Sequence, residues 1–130
     1  MNQNDPPTEH ILACLSSSPS NAKIVRTAAT MAKAFGGTFT ALYVRTPDSD
    51  QMGKEDCRRL QQHIRMAEQA GADISTIYGD DIPQQIAEFA RISGITKIVL
   101  GRSSVRRRHF WSGPSLTEKL TMTAPNLDIY

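Results

Sequence analysis

Four arginines fall within seven residues, at Arg102, Arg106, Arg107 and Arg108, directly after the apolar run Ile98-Val99-Leu100 and Gly101. A guanidinium fork matches a phosphate bidentately, so this cluster is suited to an anionic ligand. Ser115-x-x-Glu118 then reads as a capping box ahead of Leu116 and Leu120. Strand, glycine, basic loop and helix start together make an anion site, because the first N–H groups of a helix lack partners within the helix. The same stretch reads equally well as a solvated basic loop after an ordinary strand. A second group with chemical potential is Ser16-Ser17-Ser18, which follows an apolar run and precedes a helical pattern. There, hydroxyls and N–H groups can meet phosphate. Tyr43, closing the run Phe39-Thr40-Ala41-Leu42-Tyr43, can stack on a purine or hydrogen-bond it.

Other chemistries find little support. Neither the Gly-x-x-x-x-Gly-Lys-Ser/Thr pattern nor Gly-x-Gly-x-x-Gly occurs. His10, His63 and His109 are scattered, and His63 falls on a charged helical segment, where it reads as solvated. Asp80-Asp81 could contribute to a metal site, but a helix cap is the better reading. Cys14 and Cys57 form no metal motif, and Cys14 reads as a small core residue. Phe110 and Trp111, beside the arginines, could stack a base or pack under the loop. With no nucleophile–base pair, catalysis by these residues is not expected, and neither a metal nor a required cofactor is implied.

The 130 residues suit one domain, with 39% hydrophobic and 22% charged residues. A formal charge of +2 does not argue for nucleic acid, so the charge of interest is local. No apolar run approaches the roughly 20 residues that span a bilayer. Without a signal peptide, the chain reads as soluble and cytoplasmic, with reduced thiols.

The elements that must position these groups follow in order. Residues 1–8 read as a linker or tag remnant, and 9–130 as the domain. A strand at His10–Leu15 ends in the serines, which offer N-caps. A helix is predicted over Asn21–Phe35, with Ile24, Ala28, Met31 and Phe35 on one face, closed by Gly36-Gly37. Thr38–Val44 is the second strand, Thr46–Asp50 a loop, and Lys54–Ala70 a helix with a stripe of Leu60, Ile64 and Ala67. Ala72–Tyr78 is a third strand. Pro83 suits the first turn of a helix that runs to Ser93-Gly94, with Ile82, Ile86, Phe89 and Ala90 on one face. Then come the strand at 97–100, a short helix near 115–122, and a fifth strand starting at Asn126. Its abrupt end suggests a domain taken from a longer protein. Strands alternating with helices imply right-handed crossovers, an open parallel five-stranded sheet and a three-layer α/β/α fold. Ligands of such sheets bind outside the carboxyl ends of the strands.

From about residue 9 onward the chain resembles the universal stress protein family, whose Rossmann-like fold matches this element order. Nucleotide-binding members show Gly-x-x-Gly, nine residues, then Gly-Ser or Gly-Thr. Gly101 matches the first glycine and Ser115 the hydroxyl residue, while Ser104 and Pro114 stand at the other two glycines and Gly113 lies one position early. Ser16 stands where those members tend to end the first strand with an acidic residue. A narrower resemblance is to the stress-protein domain of KdpD-type potassium-responsive sensor histidine kinases. Their cyclic di-AMP motif reads Ser-x-Ser, twenty residues, then Phe-Thr-Ala-x-Tyr. Ser16-Ser17-Ser18, residues 19–38 and Phe39-Thr40-Ala41-Leu42-Tyr43 fit every specified position.

The resemblance implies a regulatory domain that binds cyclic di-AMP and biases a kinase whose catalytic core and phospho-accepting histidine lie outside these residues. Its implied partners are the other domains of a membrane-held parent, with a homodimer possible. The candidate ligand-binding residues are Ser16, Ser17, Ser18, Phe39, Thr40, Ala41, Tyr43, Gly101, Arg102, Ser103, Ser104, Arg106, Arg107 and Ser115, with Phe39 expected at the pocket floor. Two other readings remain: a stand-alone stress protein binding ATP or AMP, and a ligand-free module whose basic loop docks acidic lipid or a partner surface.

Overall fold

His10–Cys14 is apolar nearly throughout because both of its faces are covered. This strand, β1, occupies the middle of the sheet in a computed structural model that describes residues 9–100 and 128–130. The elements that follow are α1 (Asn21–Phe35), β2 (Thr38–Arg45), α2 (Lys54–Gln69), β3 (Asp73–Tyr78), α3 (Ile82–Ser93), β4 (Lys97–Val99) and β5 (Asp128–Ile129). The segment predicted as a loop at Thr46–Asp50 instead contains a 3-10 helix at Pro47–Gln51. It is closed by a reciprocal pair in which Ser49 N donates to Thr46 Oγ1 and Thr46 N donates to Ser49 Oγ. The linker at 1–8 and the helix expected near 115–122 lie outside the described residues.

All strand pairs are parallel, in the order β3-β2-β1-β4-β5. Strand alternation sends Ile11, Ala13, Phe39, Ala41 and Val99 into one core, against Val25, Ala28 and Ala32 of α1 and Leu60 and Ala67 of α2. Leu12, Leu42, Ile98 and Leu100 go to the opposite face, against Ile86, Ala87 and Ala90 of α3. Helices therefore cover both faces, and the expected three-layer α/β/α arrangement is present.

The buried stripe of α1 differs from the predicted one. Asn21, Val25, Ala28 and Ala32 are buried, whereas Ile24 and Met31 pack at the margin and Phe35 is 50% exposed. Small alanines let the helix approach the sheet closely, which rotates the bulkier residues aside. In α2, His63 takes the place expected of Ile64: it is only 4% exposed. In α3, Asp81 caps as expected, its Oδ1 accepting from Gln84 N at 3.3 Å, but Ile82 is 38% exposed. Gly37 is required by close approach, since a Cβ there would lie 2.1 Å from Glu9 O. The Glu9 carbonyl accepts from Thr38 N at 2.9 Å, which joins the starts of β1 and β2.

At the amino ends of the strands, the Lys97 ammonium lies 2.9 Å from Asp128 Oδ2 and 3.8 Å from Glu9 Oε1. It also sits 5.0 Å from the Phe35 ring centre and 5.8 Å from that of Tyr130. The hydrogen bond to Asp128, together with the fields of Asp128 and Glu9, holds Lys97 above the ordinary lysine range despite partial desolvation. This clasp ties β5 to β4 at the end of the sheet opposite the crevice described next.

Candidate functional site

β1 and β4 are neighbours, yet the chain leaves them on opposite sides: β1 continues toward β2, whereas β4 continues toward β5. This reversal opens a crevice at the carboxyl ends of the strands. Its volume is about 410 Å3. The β1–α1 turn (Cys14 through Asn21) forms one wall and Leu42, Tyr43 and Val44 of β2 another. Leu100 follows β4, Ile82 and Ile86 come from α3, and Met52, Asp56 and Arg59 come from the start of α2 and the residue segment before it.

The turn is built by side chains brought back from both sides. Asn21, 3% exposed, donates Nδ2–H to Cys14 O at 2.9 Å and accepts from Ser16 N at Oδ1, 3.1 Å. Ser18 N donates to Ser16 Oγ at 3.2 Å, and the Ser18 and Ser20 hydroxyls share a 3.0 Å hydrogen bond. Ser20 stands at the N-cap position of α1 without the side-chain cap expected of the serines. Ser16 N and Ser18 N are thus spent on holding the turn. Ser16 Oγ, having accepted one bond, keeps its own O–H to donate.

Two residues of α2 reach the same turn. His63 Nδ1 lies 2.8 Å from Ser16 O, and because a carbonyl only accepts, Nδ1 carries the proton. The expectation of a solvated His63 is therefore corrected: Lys54, Glu55, Arg58, Arg65 and Glu68 of α2 are exposed, whereas His63 falls on the inner face. Arg59 Nη1 donates to Ser17 O at 3.0 Å and to Asp56 Oδ1 at 3.1 Å. Neither Asn21, Arg59 nor His63 was among the candidates from sequence. Arg59 and His63 are one helical turn apart on α2, but nothing local to them points to a turn more than forty residues earlier.

Of the candidate residues, the structure brings Ser16, Ser17, Ser18 and Tyr43 together in the crevice. Phe39, Thr40 and Ala41 are not among its described lining. Phe39 pairs in register with Ile11 near the start of β2, is 6% exposed, and packs in the α1/α2 core. Tyr43 lies four positions further along the strand, roughly 13 Å at about 3.3 Å per residue. The expectation that Phe39 forms the pocket floor is corrected accordingly. Phe39 also borders a different hollow, between the ends of α1 and α2. Gly101, Arg102, Ser103, Ser104, Arg106, Arg107 and Ser115 lie outside the described residues, as do Arg108, Phe110 and Trp111.

The remaining side chains limit the chemistry. Burial pushes the Cys14 thiol up to about 12, so at neutral pH it is held as the thiol rather than as the nucleophilic thiolate. Among the described residues no cluster of three or more His, Cys, Asp or Glu side chains could hold a metal ion. No described helix is long and apolar enough to cross a membrane.

A parallel sheet in this order, with helices on both faces and a crevice at its switch point, defines a doubly wound α/β domain. The universal stress protein family model matches residues 7–125, and the chain belongs to that family. Within it, the chain is similar to sensor proteins called KdpD. It is 35% identical to the one from Clostridium acetobutylicum over 95% of this chain, and 30% identical to the one from Escherichia coli K12 over 91%. The chain spans only 14% and 13% of the lengths of those relatives. Among solved structures, a universal stress protein in complex with cAMP superposes with a TM-score of 0.67 at 16% identity, covering 94% of each chain. A universal stress protein from Lactobacillus plantarum gives 0.67 at 21% identity, covering 97% of this chain and 98% of that one. One from Archaeoglobus fulgidus in complex with dAMP gives 0.57 at 20% identity, covering 95% of each chain. At these identities the structural likeness establishes the fold.

Proposed function

We propose that this domain is the nucleotide-sensing module of a KdpD-like sensor histidine kinase that controls potassium uptake, and that its ligand is cyclic di-AMP. The observation that carries the reading is the meeting of Ser16, Ser17, Ser18 and Tyr43 in one crevice at the switch point, from two motif halves twenty residues apart in the chain. The turn would hold phosphate through hydroxyls and remaining N–H groups, and Tyr43 would stack against a purine. Phe39, Thr40 and Ala41 would act from inside the sheet, by fixing where β2 presents Tyr43. Arg102, Arg106 and Arg107 follow β4 in the sequence and would neutralise a dianionic ligand, with Gly101, Ser103, Ser104 and Ser115 as backbone and hydroxyl contacts. The relatives named KdpD support a sensor protein, and the neighbours solved with cAMP and dAMP support a nucleotide ligand. The kinase core would lie elsewhere in the parent, and this domain would do no bond chemistry.

Calorimetric titration of the 130-residue chain with cyclic di-AMP, ATP and cyclic di-GMP in parallel tests the reading. Saturable binding of cyclic di-AMP alone, weakened about tenfold by Ser18→Ala or Arg106→Ala, is expected. Binding of ATP instead would move the domain to the ATP-binding stress proteins. No binding of any of the three would overturn the proposal and favour the docking-module reading, which salt-sensitive binding to acidic liposomes would then test.

A further inference from the structure

Arg59 belongs to no motif, yet it is the cation among the described residues that line the crevice, where Asp48 and Asp56 are its charged neighbours. Its side chain is 32% exposed, so it is anchored without being sealed. Nη1 is occupied by Ser17 O at 3.0 Å and Asp56 Oδ1 at 3.1 Å. The Nη2 and Nε donors make no hydrogen bond among the described residues, and a guanidinium carries all its donors in one plane. A neutral carbonyl and one carboxylate leave the guanidinium's donor capacity partly unused. Asp56 is half-exposed, 51%, in the first turn of α2, so water can solvate it once it is released.

We infer that Arg59 is a phosphate-binding residue of the crevice and that Asp56 holds its place when the crevice is empty. The ligand oxyanion takes the open Nε/Nη2 edge of Arg59, and its repulsion of the nearby Asp56 carboxylate weakens the bond on Nη1 and moves Asp56 toward water, while Ser17 O keeps the guanidinium in position. This deepens the nucleotide-sensing reading and rests on it. It names a contact on α2, outside both halves of the serine–tyrosine motif. A residue that merely braced the turn would show no competition between Asp56 and ligand.

The test is a set of titrations of the full chain with cyclic di-AMP and ATP, comparing wild type, Arg59→Gln, Arg59→Lys and Asp56→Asn. Arg59→Gln should weaken nucleotide binding tenfold or more, by loss of a charge-assisted contact of about that size. Arg59→Lys should recover only part of it, since the fork is lost. Asp56→Asn should tighten binding by about threefold, as expected for removing a part-exposed competing charge. Unchanged affinity in Arg59→Gln, with weakening in Asp56→Asn, would overturn the inference and leave the sensor reading standing. Should Arg59→Gln fail to fold, the Asp56→Asn sign decides. Should wild type bind no nucleotide, the sensor reading fails on its own. Inorganic pyrophosphate then decides for Arg59: a saturable shift of its Nε–H NMR signal supports an anion site, and no shift overturns it.

Discussion

Removing the Asn21 side chain should unseat the turn on which the crevice depends. Asn21→Ala deletes two hydrogen bonds at once, leaving Cys14 O and Ser16 N without their 2.9 and 3.1 Å partners. Each such bond contributes about 1 kcal/mol net, and a stranded polar group beside a nearly buried position costs more than that. Partial access to water through the crevice offsets some of this, so a loss of about 2 kcal/mol is expected. An unfolding entropy of about 2.1 cal/mol/K per residue gives a chain of 130 residues roughly 0.27 kcal/mol per kelvin, so the melting temperature should fall by about 7 °C. Calorimetry at neutral pH measures this directly. Asn21→Asp keeps the acceptor for Ser16 N but sets a carboxylate against the Cys14 carbonyl. It should therefore destabilise more at pH 7 than at pH 4, where protonation restores a donor. A fall under 2 °C in Asn21→Ala, or no pH dependence in Asn21→Asp, would refute the claim that this side chain builds the turn.

Two further outcomes follow from named groups. Because burial raises the Cys14 thiol to about 12, iodoacetamide at pH 8 should alkylate the exposed Cys57 and spare Cys14 until denaturant is added. Peptide mass spectrometry reads both sites, and equal labelling of the folded chain would contradict the burial. Lys97→Met should lower the melting temperature by removing the ammonium that bonds Asp128. Lys97 is raised above its ordinary value of 10.5, so its contribution is complete below that pH and is lost as pH rises through the higher folded value. The gap between wild type and Lys97→Met should therefore hold constant from pH 6 to 10 and narrow above. A gap that widens there would reverse the assigned sign.

Several boundaries were legible because local chemistry sets them. α1 runs over Asn21–Phe35 as the sequence predicts, started after a serine–proline turn and stopped at Gly36, which adopts φ 63°. Parallel strands were legible from their apolar runs and the helices between them. The rotation of each helix was not. Ala28 is buried as its spacing predicts, but packing on the sheet put Val25 and Ala32 beside it in place of Ile24 and Phe35. The motif in β2 was legible as residues, but which of them reach the crevice was not. Of this eight-residue strand only Leu42, Tyr43 and Val44, toward its carboxyl end, are among the described lining.

The sequence by itself determined the order of elements, their period, their stops and the serine–tyrosine spacing, because those depend on backbone preferences acting over a turn or two. The tertiary structure decided which side chains meet. His63 and Arg59 hold the carbonyls of Ser16 and Ser17 across 47 and 42 residues. That encounter depends on how α2 is rotated over the sheet, which is settled by packing Leu60 and Ala67 against the core rather than by anything near His63 or Arg59 in the chain.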